Sequence, residues 1–222
     1  MKVLVACEES QAVTIELRKL GHEAYSNDLK QCTGDYPDWH ITGDCFDIIK
    51  NHSWDMIIMH PPCTYLTVAG NRHYAKGKEK HQKRLDAATF VQKLWSLATS
   101  VCEKVAMENP VGCISTMCDV PKAQYIQPYE YGHTARKKTG LWLHGLPNLK
   151  PTKLVIPDIV EYTRSNGKKT TFSKDYMEGV DRSGKMKAST KRSKTYTGIA
   201  KAMAEQWAGE LTNKDNNNEQ TN

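Results

Sequence analysis

Apolar and polar positions along the chain follow two rhythms. Short unbroken apolar runs predict buried strands, and longer stretches with apolar residues three and four apart predict helices. Val3-Leu-Val-Ala6 is the first such run. Cys7-Glu-Glu-Ser-Gln11 reads as a turn, and Ala12 to Leu20 as a helix with Val13, Leu17 and Leu20 on one face and Gly21 as its stop. Glu23 to Ser26 predicts a second strand ending in Asn27-Asp28, and Gln31 to Trp39 a loop. His40-Ile-Thr-Gly-Asp44 follows that loop. Met56-Ile-Ile-Met59 is a further buried run. Pro61 and Pro62 have no amide hydrogen for a sheet ladder, so the chain must leave the sheet at His60. Glu79 to Lys104 predicts a long helix whose stripe is Leu85, Ala88, Val91, Leu94, Trp95, Ala98, Val101 and Cys102. Val105-Ala-Met107, ended by Glu108-Asn109-Pro110, and Thr139-Gly-Leu-Trp-Leu143 predict further strands, and Ile199 to Leu211 a last helix. Strands alternating with helices predict an α/β fold with a doubly wound, mostly parallel, Rossmann-like sheet.

Composition narrows this picture. At 222 residues, 39% hydrophobic and 25% charged, the chain has the make-up of a globular protein with room for a substantial core. Its net charge of +6 permits a nucleic-acid partner without demanding one. The seven cysteines, Cys7, Cys32, Cys45, Cys63, Cys102, Cys113 and Cys118, include no Cys-x-x-Cys pair, so reduced thiols in a cytoplasm are expected, and no metal. The first apolar run is too short for a signal peptide, and no stretch reaches the length of a membrane span. From Lys150 onward lysine, threonine, serine and glycine dominate. The expected divisions are 1–149 as a main domain, 150–192 as a small basic insertion, 193–211 as a returning helix and 212–222 as a disordered polar tail. The basic insertion, with Arg164, Lys168, Lys169, Lys174, Lys185, Lys187, Lys191 and Arg192, reads as a nucleic-acid-contacting region or as a flexible arm. Oligomeric state is not legible.

The candidate chemistry begins at Cys63. It follows two prolines at the carboxyl end of a strand, the edge where open α/β sheets bind ligands. Two readings stand there: a rigidly placed nucleophile, or a small buried hydrophobe. Asp28, closing the second strand, is a candidate for ribose hydroxyls or a plain turn former. Arg72, His73, Lys76 and Lys78 after the Cys63 loop are phosphate contacts or an ordinary solvated run.

The stretch Pro61-Pro62-Cys63-Thr64-Tyr65-Leu66-Thr67-Val68-Ala69-Gly70 resembles the catalytic loop of the DNA cytosine-5 methyltransferases, Pro-Pro-Cys-Gln-x-Phe-Ser-x-Ala-Gly. Thr67 replaces serine, Leu66 phenylalanine and Thr64 glutamine. Glu108-Asn109-Pro110 is similar to that family's Glu-Asn-Val, and Tyr131 to Lys138 is loosely similar to its Gly-x-x-Gln-x-Arg-x-Arg. Val5-Ala-Cys-Glu-Glu-Ser10 stands where the family carries Phe-x-Gly-x-Gly-Gly, without its glycines. Tyr196-Thr197-Gly198 partly matches its closing turn. The likeness covers most of Met1 to Leu143 and the last helix, and the small size suits a phage or prophage gene product.

The resemblance implies a class I S-adenosylmethionine-dependent methyltransferase fold and methyl transfer to C5 of cytosine in DNA. It implies that Cys63 adds to C6 of the base while Glu108 binds the ring. Arg136 or Lys138 would polarise the base carbonyl or hold phosphate, or belong to a surface basic cluster. Ala6, Cys7, Glu8, Ser10, Asp28, Asp44, His60 and Pro62 would line the S-adenosylmethionine site, with Ser10 a candidate helix cap. His60 and Arg136 are candidates for lowering the Cys63 pKa. Three rivals remain. An amino methyltransferase would place an aromatic residue where Cys63 stands. A one-carbon transferase could keep the Cys–Glu pair with altered cofactor use or a nucleotide substrate. A catalytically inactive protein could bind DNA or a partner.

Overall fold

The computed structural model describes residues 1–163, 167–174 and 194–209. The expected positions Arg164, Lys185, Lys187, Lys191 and Arg192, and the expected tail 212–222, lie outside the described residues. In chain order the elements are β1 (Lys2–Ala6), α1 (Ala12–Lys19), β2 (Glu23–Asp28), β3 (His40–Thr42), α2 (Cys45–Asn51), β4 (Met56–Met59), α3 (Asn71–Tyr74), α4 (His81–Val101), β5 (Val105–Pro110), α5 (Ile114–Met117), β6 (Gln124–Ile126), β7 (Thr139–His144), β8 (Ile159–Thr163), β9 (Lys169–Ser173) and α6 (Thr197–Met203).

Seven strands form one sheet in the order β3-β2-β1-β4-β5-β7-β6. The pairs from β3 through β5 are parallel, and β7 inserts antiparallel between β5 and β6. This is a doubly wound, Rossmann-like sheet of the class I methyltransferase type. Strand order reverses at β1, which pairs with both β2 and β4, so the carboxyl ends of β1 and β4 open a switch-point crevice.

Both faces of the sheet are covered, which explains why β1 and β4 read as continuous apolar runs. Val3, Val5, Met56, Ile58 and Ala106 pack under α1 and α6, and Leu4, Ala6, Ile57, Met59 and Met107 pack under α2 and α4. All four residues of β4 are fully buried, each burial worth about 1.5–3 kcal/mol. On α4 the stripe is rotated from the expected one. Ala88, Val91, Leu94, Trp95 and Ala98 are buried, but Leu85 and Val101 are exposed and Arg84 takes the inward place.

Two boundaries differ in a way that shapes the site. β5 does not stop at Met107. Its pairing with β4 ends at Met59↔Met107, but antiparallel β7 carries it on through Glu108↔Leu141, Asn109↔Gly140 and Pro110↔Thr139. Glu108 is therefore held by backbone pairing on one side and faces the end of β4 on the other. The final helix begins earlier than expected, at Thr197, and widens into a π-type turn over Ala204–Ala208. A Cβ on Gly198 would collide with the Tyr131 carbonyl oxygen, and the Gly198 amide donates to His133 Nε2 at 2.8 Å. The returning helix is thus clamped to the Tyr131-Gly132-His133 turn. In the basic region, β8 and β9 form an antiparallel hairpin tied to the sheet through Asp158 N–H to Thr134 O at 2.7 Å.

Candidate functional site

The Cys63 loop is short and fastened. Its own carbonyl accepts from the amides of Leu66 and Thr67 at 3.0 and 3.2 Å, which closes a tight turn. Asn109 Nδ2 donates to Pro61 O at 2.7 Å and joins the Pro-Pro corner to β5. The next residues run against the end of β5: Val68 N–H donates to Val111 O at 3.1 Å and Cys113 N–H to Leu66 O at 2.9 Å. That approach needs a glycine at 112, where a Cβ would collide with the Leu66 carbonyl. Arg84, buried from α4, donates to Tyr65 O at 2.8 Å, Thr67 O at 3.0 Å and Asn71 Oδ1 at 2.7 Å. Cys63 is half-buried and Pro62 exposed at the crevice. Burial pushes the thiols of Cys102, Cys113 and Cys118 up, Cys118 to about 11.

His60 and Glu108 meet across the β4–β5 seam. His60 Nδ1 lies 3.1 Å from Glu108 Oε2, and the two side chains are 10% and 15% exposed. Burial lowers the His60 pKa, but the hydrogen bond and charge of Glu108, helped by the charge of Glu8, outweigh it and raise the pKa. Burial raises the Glu108 pKa. The hydrogen bond and charge of His60, the charge of Lys137 and a hydrogen bond from Thr139 overcome it, so the carboxyl is held below its ordinary value. His60 Nε2 is buried and has no hydrogen-bond partner among the described residues.

The crevice at β1 is built differently from a glycine-rich turn. Cys7 and Gln11 both adopt left-handed backbone, with φ of 59° at each. Cys7 stands at the first glycine position of the resembled motif, so the turn keeps the glycine conformation without the glycine, at a cost of roughly 1–3 kcal/mol. A hydrogen bond donated by the Cys7 thiol to Cys45, together with burial, raises Cys7 well above its ordinary range and lowers Cys45. Ser10 does not cap α1. Glu8 does so instead, its carboxylate accepting from the amides of Val13 at 2.7 Å and Thr14 at 3.3 Å and from the Thr14 hydroxyl at 2.7 Å. A carboxylate five residues before the helix amides satisfies them from below the usual cap position, which is why the Ser10 signal misled. Asp28 closes β2 and accepts from Lys30 N–H at 3.0 Å through Oδ1, and Asp44 caps α2 through Phe46 N–H at 2.8 Å. Ala6 O accepts the His60 amide at 2.9 Å.

Arg136 and Lys138 are exposed and turn away from Glu108. Arg136 donates to the Thr171 hydroxyl of the hairpin at 3.3 Å, and Lys138 Nζ lies 4.7 Å from the Tyr125 ring centroid. Lys137, between them, is the residue whose charge acts on both His60 and Glu108. Sequence reasoning missed Lys137, because nothing in the run of three basic residues marks which one turns inward. It also missed Arg84, although Arg84 sits four and seven residues before Ala88 and Val91 and so continues the buried stripe.

No protein-family model matches the chain, and no curated protein matches it. Among solved structures, a prophage-encoded E. coli protein described as a DNA modification methyltransferase is similar over 71% of this chain and 53% of its own, with a TM-score of 0.43 and 12% identity. The chain thus spans about half the length of that protein. The amino-terminally truncated METTL16 methyltransferase domain is similar over 66% of this chain and 73% of its own, with a TM-score of 0.41 and 10% identity. The fold assignment rests on the strand order and the single antiparallel strand of the sheet itself.

Proposed function

We propose that this protein transfers a methyl group from S-adenosylmethionine to C5 of cytosine in DNA through a covalent adduct of Cys63. The observation that carries the reading is the pairing of a fastened Pro-Pro-Cys turn at the end of β4 with a buried, ionised Glu108 on the neighbouring strand. Adjacent strands lie about 4.8 Å apart, so groups from both can face one planar base. Exposed Arg72, His73, Lys76 and Lys78 after the Cys63 loop, and exposed Lys168, Lys169 and Lys174 of the hairpin segment, suit a phosphate backbone.

Two acidic residues support the adenosyl half of this reading. Asp28 at the β2 edge offers a carboxylate to ribose hydroxyls, and Asp44 after β3 one to the adenine amine. Glu8 already takes the Val13 and Thr14 amides of α1, which leaves fewer donors there for the methionine carboxylate. That occupation favours, as a second reading, a one-carbon donor altered at its amino-acid end. When bound, the cofactor supplies an electrophilic methyl group.

The chain's own residues do the rest. Cytosine C5 is a poor nucleophile until a thiolate adds at C6 and pushes electron density to C5. Cys63 Sγ forms that bond. Glu108 accepts from the exocyclic amine and favours charge building on the ring. Once C5 carries the methyl, loss of the C5 proton restores the double bond and expels the thiolate. A target in duplex DNA must be flipped out of the stack. The test is incubation with labelled S-adenosylmethionine and DNA, digestion and identification of the base. Label in 5-methylcytosine is expected. Label in an amino-methylated base, or none with the labelled cofactor bound, overturns the reading.

A further inference from the structure

The mechanism above leaves one step without a residue: something must take the C5 proton. We infer that His60 is the general base for that step, its Nε2 receiving the C5 proton while Glu108 orients the ring through Nδ1. This rests on the cytosine-5 reading. Three observations carry it.

First, carboxylate and imidazole form a dyad at 3.1 Å, with both side chains about nine-tenths buried. A carboxylate at Nδ1 fixes the tautomer, so the neutral ring presents a lone pair at Nε2. Second, Nε2 is buried and takes no partner among the described residues. A buried polar atom left unpaired is costly, and beside the Pro-Pro-Cys turn it marks a position kept for a ligand. Third, His60 precedes the Pro-Pro-Cys turn, so the fastening that places Cys63 places the imidazole too, and the His60 amide is itself held by Ala6 O at 2.9 Å. Nε2 has no hydrogen bond to Cys63 Sγ, so the ring is not spent on the thiol.

The charges around the ring suit this work. Glu108 on β5 and Glu8 before α1 raise its basicity, and Lys137 before β7 lowers it. The step balances. The C5–H pair becomes the C5=C6 bond, the Sγ–C6 pair returns to sulfur, and the proton passes to Nε2 and then to water. Glu108 has two roles that do not compete, because a carboxylate offers about four lone-pair sites and His60 and Thr139 take two of them.

The test uses the full chain, S-adenosylmethionine and DNA with ordinary cytosine, and compares wild type with His60→Gln. Without its base, the variant should still attack and methylate but fail to release. A denaturation-resistant protein–DNA adduct carrying the methyl label should accumulate, with turnover down roughly 100- to 10,000-fold. In wild type the single-turnover rate should fall as pH drops through the His60 pKa, and His60→Gln should lose that limb. His60→Gln turnover within threefold of wild type, or an unchanged low-pH limb, overturns the proposal. So does loss of adduct formation in the variant with cofactor binding intact, which assigns His60 to an earlier step. A wild type that forms no adduct with 5-fluorocytosine DNA and methylates no cytosine instead removes the underlying reading.

Discussion

The charge attraction between Glu108 and His60 acts only while both are ionised, and their pKa directions set the window. Despite burial, His60, Lys137 and Thr139 lower the Glu108 pKa from 4.5. Its contribution is present above that unfolded value and is lost as pH falls through the lower folded one. The His60 pKa is raised from 6.5 despite burial, by Glu108 and Glu8. That contribution is complete below 6.5 and is lost as pH rises through the folded value. Wild-type Tm should therefore peak between pH 4.5 and 6.5, and His60→Gln should flatten the high-pH side. Equal Tm differences between the two proteins at pH 5.5 and pH 9 would contradict the ion pair. In activity, Glu108→Gln keeps the shape but loses the charge, and should cost about 2–4 kcal/mol of barrier, seen as slower adduct formation. That outcome separates it from His60→Gln, where the adduct accumulates.

At the scale of elements, the site depends on how α4 and the start of α5 grip the Cys63 loop. Hydrogen bonds to a charged group are worth about 1.5–3 kcal/mol each, and Arg84 makes three to the loop. Arg84→Met keeps an apolar stem in the stripe and removes all three. We expect a loss of more than about 2 kcal/mol in urea unfolding and faster amide exchange over residues 65–71. Unchanged exchange there would mean that the loop is held without Arg84. Much of this level was legible beforehand. The β4 run, the Pro-Pro exit and the order of strands and helices follow from periodicity and from missing amides. Glu8 as cap, Lys137 as the inward lysine and Arg84 as the clamp were not legible. Each depends on which way one side chain turns within a polar run, and tertiary contact decides that.

Over the whole molecule, the doubly wound sheet brings the carboxyl ends of β1 and β4 and the adjoining part of β5 to one edge, with one basic segment between β4 and β5 in sequence and the other after β7. Residues 71–78 follow the Cys63 loop, and the β8–β9 hairpin is joined to the segment before β7 through Arg136 N–H to the Ser173 hydroxyl at 3.0 Å. That hairpin was not legible, because β8 is exposed at every position and its apolar and polar residues do not alternate throughout. If the basic region meets phosphates, log affinity should fall linearly with log salt, by about 0.9 per contact in duplex DNA. Neutralising Lys168, Lys169, Lys185 and Lys187 together should flatten that slope in a binding titration from low to high salt. An unchanged slope would remove the region from the DNA interface.

The covalent step is the centre of the account, and 5-fluorocytosine reads it directly, since fluorine at C5 cannot leave as a proton does. DNA carrying the analogue at the target is incubated with the protein and S-adenosylmethionine, denatured, digested and mapped by mass spectrometry. The account predicts a stable adduct on Cys63, absent in Cys63→Ser, which should remain folded and still bind DNA. An adduct on another thiol such as Cys7, or full activity in Cys63→Ser, would contradict the account.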